Sequence, residues 1–413
     1  MHLTKEEDLM LKGESGPAIQ EAMEILVALG DIYSAERMID ISSAHLSSVA
    51  YMSSGDTGCR FLERLVRQRA SFKVMTTLNP HSIEHDRWRE LGFPQDFAEK
   101  QLRITKAYDM LGALGTYTCT PYLVGNLPRF GEHIAWAESS ALSFANSVLG
   151  GRTNREGPLS ALAAGLVGKT PLYGYHLDEN RSGKVLVKVT TDLKGTSDYS
   201  ALGYSVGKKT EDKIPVFANL PHNLKTSELK ALCAALAVSG SVAMCHVVGV
   251  TPEAPTLQDA FKGGKPEEIL TIDRTELEST YEERCSKGPG ADIDWVVIGC
   301  PHCTYDELRE AAILLKGKKI REDTSLWVCT STPIETVARR AGYVNDIENA
   351  GGTVMCSYCP ALTPAEPFGF KTMATNSAKA TFYGFGVTGV DVLFGTLNDC
   401  IDAAETGRWS EKS

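Results

Sequence analysis

An alternation of apolar runs and amphipathic segments over residues 294–358 most constrains the fold. The apolar runs DWVVIGC, SLWVCTS and GGTVMCSY have the length and character of buried strands. The segments YDELREAAILLKG and PIETVARRAGY between them repeat apolar residues at helical spacing. A strand-helix-strand-helix-strand order predicts a parallel sheet, with ligand-binding loops at the carboxyl ends of its strands.

Cysteines stand at the ends of two of these predicted strands. Cys300 ends the first strand, and Cys356 and Cys359 follow the third in a CSYCP turn. Because the carboxyl ends of parallel strands meet at one edge, their loops can bring thiols together without breaking the sheet. Cys119, in the loop sequence TYTCTPYL, is a further source. Three thiolates from separated loops would hold an iron-sulfur cluster and leave one iron open to substrate.

Other interpretations of the cysteines remain open at this point. CPHC at 300–303 and CSYC at 356–359 resemble two zinc knuckles, but their separation far exceeds the roughly 15 to 20 residues of a compact zinc site. A thioredoxin-like pair would stand at a helix start after the first strand of a small domain. Any single one of the 11 cysteines more often fills the core, since free Cys is among the most buried residue types.

Length and composition limit the class of protein. A chain of 413 residues exceeds the size of one hydrophobic core, so two or three α/β lobes are expected. No apolar run reaches the roughly 20 residues of a membrane span, and the charged N-terminus lacks a signal core, so we expect a cytoplasmic protein. The net charge of −10, without a Lys/Arg cluster, argues against nucleic-acid binding. Any anionic substrate would therefore be bound by individual side chains at its site and not by a broadly basic surface.

The polar segment 262–290 is predicted to connect two lobes, one over about 1–285 and one over about 290–400. Within the first lobe, the stretch 132–148 is predicted to be helical. Short strands are expected to dominate 184–217.

Motifs along nearly the whole chain resemble those of the aconitase X family, in the family's order. They are MHLTKEEDLMLKGESG, EILVALGDIY, SGDTGCRFLE, TTLNP, TCTPYLVGNLPRFGEHIAWAESSA, NSVLGGRTNREG, IGCPHCTYDEL and TNSAKATFYG. The resemblance implies an aconitase-like, multi-lobed α/β/α unit with parallel sheets. It also implies an iron-sulfur cluster, [4Fe-4S] or [2Fe-2S], bound by three cysteines.

Carried over by motif, the implied cluster ligands are Cys119 in TCTPY, Cys300 in IGCP and Cys359 at the end of GGTVMCSYC. Family members usually show DTC at this last strand end, where this chain has SYC. Cys356 is therefore an extra thiol and an alternative third ligand.

The resemblance also implies substrate-binding positions, which are Ser48 and Val49 in LSSVAY, Asn79 in TTLNP, Glu138 and Ser139 in WAESSA, and Lys379 in TNSAK. Lysine, amide and hydroxyl donors suit a carboxylate or phosphate, and Glu138 suits an ammonium or a hydroxyl. Taken alone, Glu138 would more often be a helix-surface carboxylate and Lys379 a solvated charge.

The sequence GGRTNREG offers Arg152, Asn154 and Arg155, which would either clamp an anion or brace their own loop. His133 and His302 flank the motifs, and each is more often a structural histidine than a catalytic one.

The implied activity is a dehydratase that removes water from a β-hydroxy carboxylate. In aconitase-like enzymes the base is a serine on a small swivelling domain, and this chain ends only about thirty residues after Lys379. We therefore expect that domain to be missing here, the catalytic base to be supplied by a separate small subunit, and the two chains to form a heterodimer.

Two substrates of the family compete. The stretch LSSVAYMSSGDTG departs from the Gly-Val-Ser stretch and GDAG loop of archaeal (R)-5-phosphomevalonate dehydratases, which favours cis-3-hydroxy-L-proline. A non-enzymatic metal-binding protein on the same fold is a further hypothesis.

Overall fold

The structure, a computed structural model, describes residues 1–410, which form three consecutive segments with parallel sheets. The first segment contains α1 (Lys5–Leu11), α2 (Pro17–Ile32), β1 (Met38–Asp40), β2 (Ser43–Leu46), α3 (Tyr51–Arg67), β3 (Met75–Leu78), α4 (Gln95–Met110), β4 (Ala135–Trp136), α5 (Ser139–Phe144), α6 (Pro158–Val167) and β5 (Lys169–Pro171). Its parallel sheet has the order β3-β2-β4, and β1 pairs with β5 in an antiparallel ribbon.

The second segment contains β6 (Val185–Val189), α7 (Gly195–Thr210), β7 (Pro215–Ala218), α8 (Thr226–Ser239), β8 (His246–Val247), α9 (Leu257–Ala260), β9 (Glu268–Ile272) and α10 (Arg274–Glu283). Its strands are parallel in the order β8-β7-β6-β9.

The third segment contains β10 (Trp295–Ile298), α11 (Tyr305–Leu315), β11 (Ser325–Thr330), α12 (Thr332–Arg340), α13 (Tyr343–Ala350), β12 (Thr353–Cys356), β13 (Thr372–Thr375), α14 (Ala378–Tyr383), β14 (Asp391–Phe394) and α15 (Leu397–Thr406). Its strands are parallel in the order β12-β11-β10-β13-β14.

The predicted βαβαβ pattern is confirmed in the third segment. Strand β10 is buried at every position, as its unbroken apolar sequence indicates. Helix α11 begins with a capping box in which the Thr304 hydroxyl accepts from the Glu307 amide, and the Glu307 side chain accepts from the Thr304 amide. Its apolar face then packs into the core through Leu308, Ala311 and Leu315.

Helix α7 corrects part of the prediction of short strands over 184–217, because only the two ends of this stretch form strands, β6 and β7. The helix is buried on nearly all sides, so it lacks the apolar and polar faces that reveal a helix in sequence. Its glycines allow α8 to approach closely, because a Cβ at Gly203 would lie 2.5 Å from the Leu232 carbonyl oxygen. Because α7 packs closely against α8 and has no polar face, its sequence does not show the pattern of an amphipathic helix.

Two further predictions need correction. The segment 262–290, predicted as a connection, contains β9 and α10, and β9 pairs with β6 through its whole length. The stretch 132–148, predicted to be one helix, begins with β4, because Ala135 and Trp136 pair with β2, and only then enters α5. In the second of these places, tertiary strand pairing overrides local helical patterning.

The sheet orders locate the ligand-binding edges. In the third sheet the chain order reverses beside β10, so the loops after β10 and β13 diverge and leave a crevice between them. In the first sheet β2 is central, and the loops after β3 and β4 flank it. Within residues 1–410, none of the helices combines the length and apolar character needed to cross a membrane.

Candidate active site

A cleft lies where loops of the first and third segments meet. Its polar and sulfur-bearing lining residues are Asn79, Cys119, Glu138, Cys300, His302, Cys359, Lys379 and Tyr383. Most of them follow strand carboxyl ends: Asn79 follows β3, Glu138 follows β4, and Cys300 follows β10. The cleft therefore forms at the edges where the sheet topology predicts a ligand.

The three predicted cluster ligands line this cleft together. Cys300 lies at the crevice after β10, and the backbone amide of His302 donates to Cys119 Sγ at 3.3 Å. The amide of Cys359 donates to the His81 carbonyl at 2.9 Å, which ties the third-segment loop to the first segment. Loops distant in sequence thus bring their thiols to one cavity.

Cys356, the alternative ligand, does not line the cleft. It ends β12 and lies beside Thr332 and Glu335 of α12, where burial raises the pKa of its thiol to about 12. The three residues after it carry the chain to the cleft, where Cys359 is exposed to the cavity.

The paired CxxC sequences do not form a zinc knuckle. Cys303 is buried in the hydrophobic core of the third sheet with Val296 and Leu308, away from Cys356. Among the residues described, no group of three or more His, Cys, Asp or Glu side chains could share one metal ion. A cluster has its own irons and sulfides between the thiolates and so spans a wider gap than one ion. The three thiols and the open cavity fit an iron-sulfur cluster.

Burial controls the protonation of these thiols. It raises the pKa of Cys119 to about 12, and it also raises the pKa of Cys300, while the Lys379 ammonium opposes both shifts. Thiols in such a site are neutral before metal arrives. Because a cluster is bound by thiolates, its assembly on these cysteines would release protons.

A buried ion pair spans the cleft between the segments. Lys379 Nζ donates to Glu138 Oε1 at 2.6 Å and to Ser140 Oγ at 2.9 Å. Ser140 Oγ in turn donates to Glu138 Oε2 at 2.6 Å, and this oxygen also accepts from the Ala141 amide at 2.6 Å. Burial favours the neutral form of Glu138, but Lys379 and these donors outweigh it and lower the pKa of Glu138. The pair is therefore charged at neutral pH.

Asn79 lines the cleft beside the buried His45. Burial lowers the pKa of His45 to about 4, while the Glu138 charge and a side-chain hydrogen bond to Asn79 oppose this shift. Ser48 and Val49 lie on the loop after β2 at the same sheet edge but do not line the cleft. The Val49 carbonyl accepts from Gln101 Nε2 at 3.0 Å, and Ser48 adopts a left-handed φ of 57°.

The structure does not bring the GGRTNREG arginines to the cleft. Arg152 donates to the His176 carbonyl at 3.1 Å and pairs with Asp178, and Arg155 donates to the Ala237 carbonyl at 3.0 Å. These contacts brace the loop, which was one of the two alternatives for this sequence. The predicted substrate-binding positions Arg152 and Arg155 therefore lie away from the cavity.

Sequence reasoning missed two residues of the site, Ser140 and Tyr383. Ser140, and not its neighbour Ser139, contacts the Lys379–Glu138 pair. The Tyr383 ring lines the cavity with its centroid 6.0 Å from Lys379 Nζ. His302, predicted to be structural, lines the cleft, and burial lowers its pKa to about 4, so its ring is neutral. Tyr383 stands one helical turn after Lys379, a spacing that could have revealed it.

Comparisons with family models cover most of the chain. Residues 1–179 match the aconitase X first domain, 183–282 the second domain, and 293–406 the third domain.

Named relatives fall into two groups. The chain is 47% identical to the phosphomevalonate dehydratase large subunit of Methanothermobacter thermautotrophicus, over 95% of this chain and 96% of that one. It is 46% identical to the same subunit of Methanocaldococcus jannaschii, over 97% and 99% of the two chains. It is 38% identical to the cis-3-hydroxy-L-proline dehydratase of Pseudomonas aeruginosa, over 97% of this chain but 69% of that protein.

A solved structure, the holo-form of Thermococcus kodakaraensis aconitase X, superposes with a TM-score of 0.90 at 44% identity. The match covers 98% of this chain and 100% of that one. The predicted α/β fold with parallel sheets is thereby confirmed.

Proposed function

The chain belongs to the aconitase X family, and on this premise we propose that it is the large subunit of a dehydratase for (R)-5-phosphomevalonate. The observation that carries the choice of substrate is the higher identity to relatives named phosphomevalonate dehydratase large subunit, which it matches over nearly their full length. The hydroxyproline dehydratases, at 38% and 35% identity, are less similar than these two subunits and are longer, and a further phosphomevalonate subunit, from Aeropyrum pernix, is 36% identical.

In the sequence, the LSSVAYMSSGDTG stretch favoured cis-3-hydroxy-L-proline. This interpretation is therefore replaced by the proposal of (R)-5-phosphomevalonate. That stretch forms the end of β2 and the first turns of α3, and its Ser48 carbonyl accepts from the Ser54 hydroxyl. A few altered side chains that bond within their own loop weigh less than identity distributed over the whole chain.

We propose Cys119, Cys300 and Cys359 as the residues that hold an iron-sulfur cluster, because they line one cleft with no other cysteine beside them among its lining residues. When bound, such a cluster supplies a Lewis acid for the departing hydroxyl group. Iron and sulfide content per chain after reconstitution distinguishes a cluster of two irons from one of four.

Lys379 and Asn79 are proposed to bind the substrate. The ammonium has three N–H donors, of which Glu138 and Ser140 accept two, so one is left for a carboxylate or phosphate oxygen. The Asn79 amide lines the cleft and suits a hydroxyl group of the substrate. Ser48, Val49 and Ser139 stay predictions implied by the family motifs, since they do not line the cleft.

The low net charge of the cleft supports the proposal that a partner chain completes the site. Lys379 is the cation and Glu138 the anion among the lining residues, and their pairing leaves little net charge for a substrate that carries both a phosphate and a carboxylate. Further cationic groups must come from elsewhere. We propose that a small subunit covers the cleft, supplies them together with the catalytic base, and excludes water on closure.

The test is a reconstitution. The chain is purified anaerobically with its cognate small subunit, loaded with iron and sulfide, and incubated with (R)-5-phosphomevalonate or with cis-3-hydroxy-L-proline, and loss of water is followed by mass spectrometry. We expect turnover of the phosphorylated substrate only when both chains are present. Cys119→Ser in the same complex is the matched inactive control.

Preferential turnover of hydroxyproline would overturn the proposed substrate. Full activity of the large chain alone would overturn the two-chain enzyme, and full activity of the Cys119→Ser complex would overturn the cluster.

A further inference from the structure

His302 contacts all the loops that carry the cleft cysteines. It stands two residues after Cys300, and its backbone amide donates to Cys119 Sγ at 3.3 Å. Its ring nitrogen Nδ1 lies 2.9 Å from Thr118 Oγ1, in the residue before Cys119. Its Nε2 lies 2.8 Å from the carbonyl oxygen of Tyr358, the residue before Cys359.

The groups around the His302 ring show which of its two nitrogens carries the proton. A carbonyl oxygen has no hydrogen to give, so Nε2 carries the proton and donates it to Tyr358. Because the ring is 1% exposed, the neutral form is favoured, and Nδ1 then accepts from the Thr118 hydroxyl. One imidazole thus uses both nitrogens, in one tautomer, to join the first segment to the third.

The turn that bears His302 is itself fixed from the second segment. Lys230, 2% exposed, donates to the carbonyl oxygens of Pro301 at 3.2 Å and His302 at 2.7 Å, and to Glu307 Oε2 at 2.5 Å. These bonds restrict the backbone of the Cys300 loop. The His302 ring is therefore held in place and can fix the positions of the Cys119 and Cys359 loops, which it contacts.

We propose that His302 is a positioning residue that sets the spacing of Cys119, Cys300 and Cys359 and donates a backbone N–H to the Cys119 sulfur. This inference rests on the proposed function, since it gives a role to a residue of the same cluster site. His302 acts through the ligands and not as a ligand, because both of its ring nitrogens are already bonded to protein groups.

Three substitutions separate the two ring contacts. His302→Gln keeps a donor near the Tyr358 carbonyl, His302→Asn keeps an acceptor near Thr118, and His302→Leu removes both. In the reconstituted heterodimer we expect a chelator to remove iron from the Leu variant roughly 10- to 100-fold faster than from the wild type, the range typical for residues that orient metal ligands. The Gln and Asn variants should fall between, and the cluster's electron paramagnetic resonance spectrum should change in the same order.

The matched control is His246→Leu. His246 is also 1% exposed and bonds the Arg181 carbonyl at 2.8 Å, but it lies in the second segment and does not line the cleft. It should lose stability in urea like His302→Leu, yet keep the wild-type spectrum and rate of iron loss. If His302→Leu does not fold, the Gln and Asn variants give the same comparison.

Wild-type spectra and iron-loss rates in all folded His302 variants would overturn the positioning role and leave the proposed function intact. A wild-type heterodimer that takes up no iron and sulfide would instead overturn the cluster proposal, and the role of His302 with it.

Discussion

The ammonium nitrogen of Lys379 lies 2.6 Å from Glu138 Oε1, although 241 residues separate the two in sequence. The contact joins α14 of the third segment to the loop after β4 of the first. Both side chains are at least nine-tenths buried, so neither charge can be satisfied by water if the other is removed. The pair thus links the assembly of the cleft to the stability of the chain.

Lys379→Met is expected to lower the free energy of unfolding by about 3 to 5 kcal/mol, because it leaves Glu138 charged and unpaired in the interior. Urea denaturation of the chain measures this loss. The control is Lys208→Met, which removes an exposed pair with Glu283 and should cost no more than about 1 kcal/mol. Equal losses in the two variants would contradict the buried character of the Lys379–Glu138 pair.

The same pair predicts a pH dependence of stability. The pKa of Glu138 is lowered below its usual 4.5, so its contribution is complete above that value and is lost as the pH falls through the lower folded-state pKa. The pKa of Lys379 is raised above 10.5, so its contribution is complete below 10.5 and is lost only at higher pH.

The difference in unfolding free energy between the wild type and Glu138→Gln should therefore be near its maximum at neutral pH, where both members of the wild-type pair are charged. It should shrink as the pH falls below about 4.5, because the Glu138 carboxylate of the unfolded wild type is protonated there, whereas that of the folded protein is protonated only at lower pH. Denaturation at a series of pH values measures it, and a difference that is largest in acid would have the wrong sign.

The sequence predicted the part of the site that follows from strand ends. Cys300 and Cys359 stand after recognisable parallel strands, so a shared sheet edge could be inferred for them. The Lys379–Glu138 contact could not be derived in that way, since it depends on how two separate sheets pack. Family motifs supplied both residues, but not their pairing.

A sequence motif also cannot show which of two neighbouring residues contacts a third residue. WAESSA presents two adjacent serines, and only the direction of the first turn of α5 decides that Ser140 meets Lys379. Helix α7 was missed for a related reason: a helix buried on all sides shows no periodic polar face.

The two serines can be separated by experiment. Ser140→Ala should lower the free energy of unfolding by about 1.5 to 3 kcal/mol, because a hydrogen bond to each member of the buried ion pair is lost. Ser139→Ala should leave stability within about 0.5 kcal/mol, since Ser139 is a half-buried first-turn residue outside the pair. If Ser139 binds substrate, its variant raises KM without changing stability. A larger stability loss in Ser139→Ala would reverse the assignment.

The choice between the two CSYC thiols gives the last prediction. Cys359→Ser should abolish retention of iron and sulfide, because Cys359 lines the cleft with Cys119 and Cys300, and a hydroxyl is a poorer ligand for iron than a thiolate. Cys356→Ser, three residues earlier, changes a thiol beside Thr332 and Glu335 and should retain the wild-type iron and sulfide content. Colorimetric iron and sulfide analysis per chain, after the same anaerobic reconstitution, measures both variants. Loss of the cluster from Cys356→Ser with retention in Cys359→Ser would show that the turn after β12 rearranges on loading and presents the earlier cysteine to the cleft.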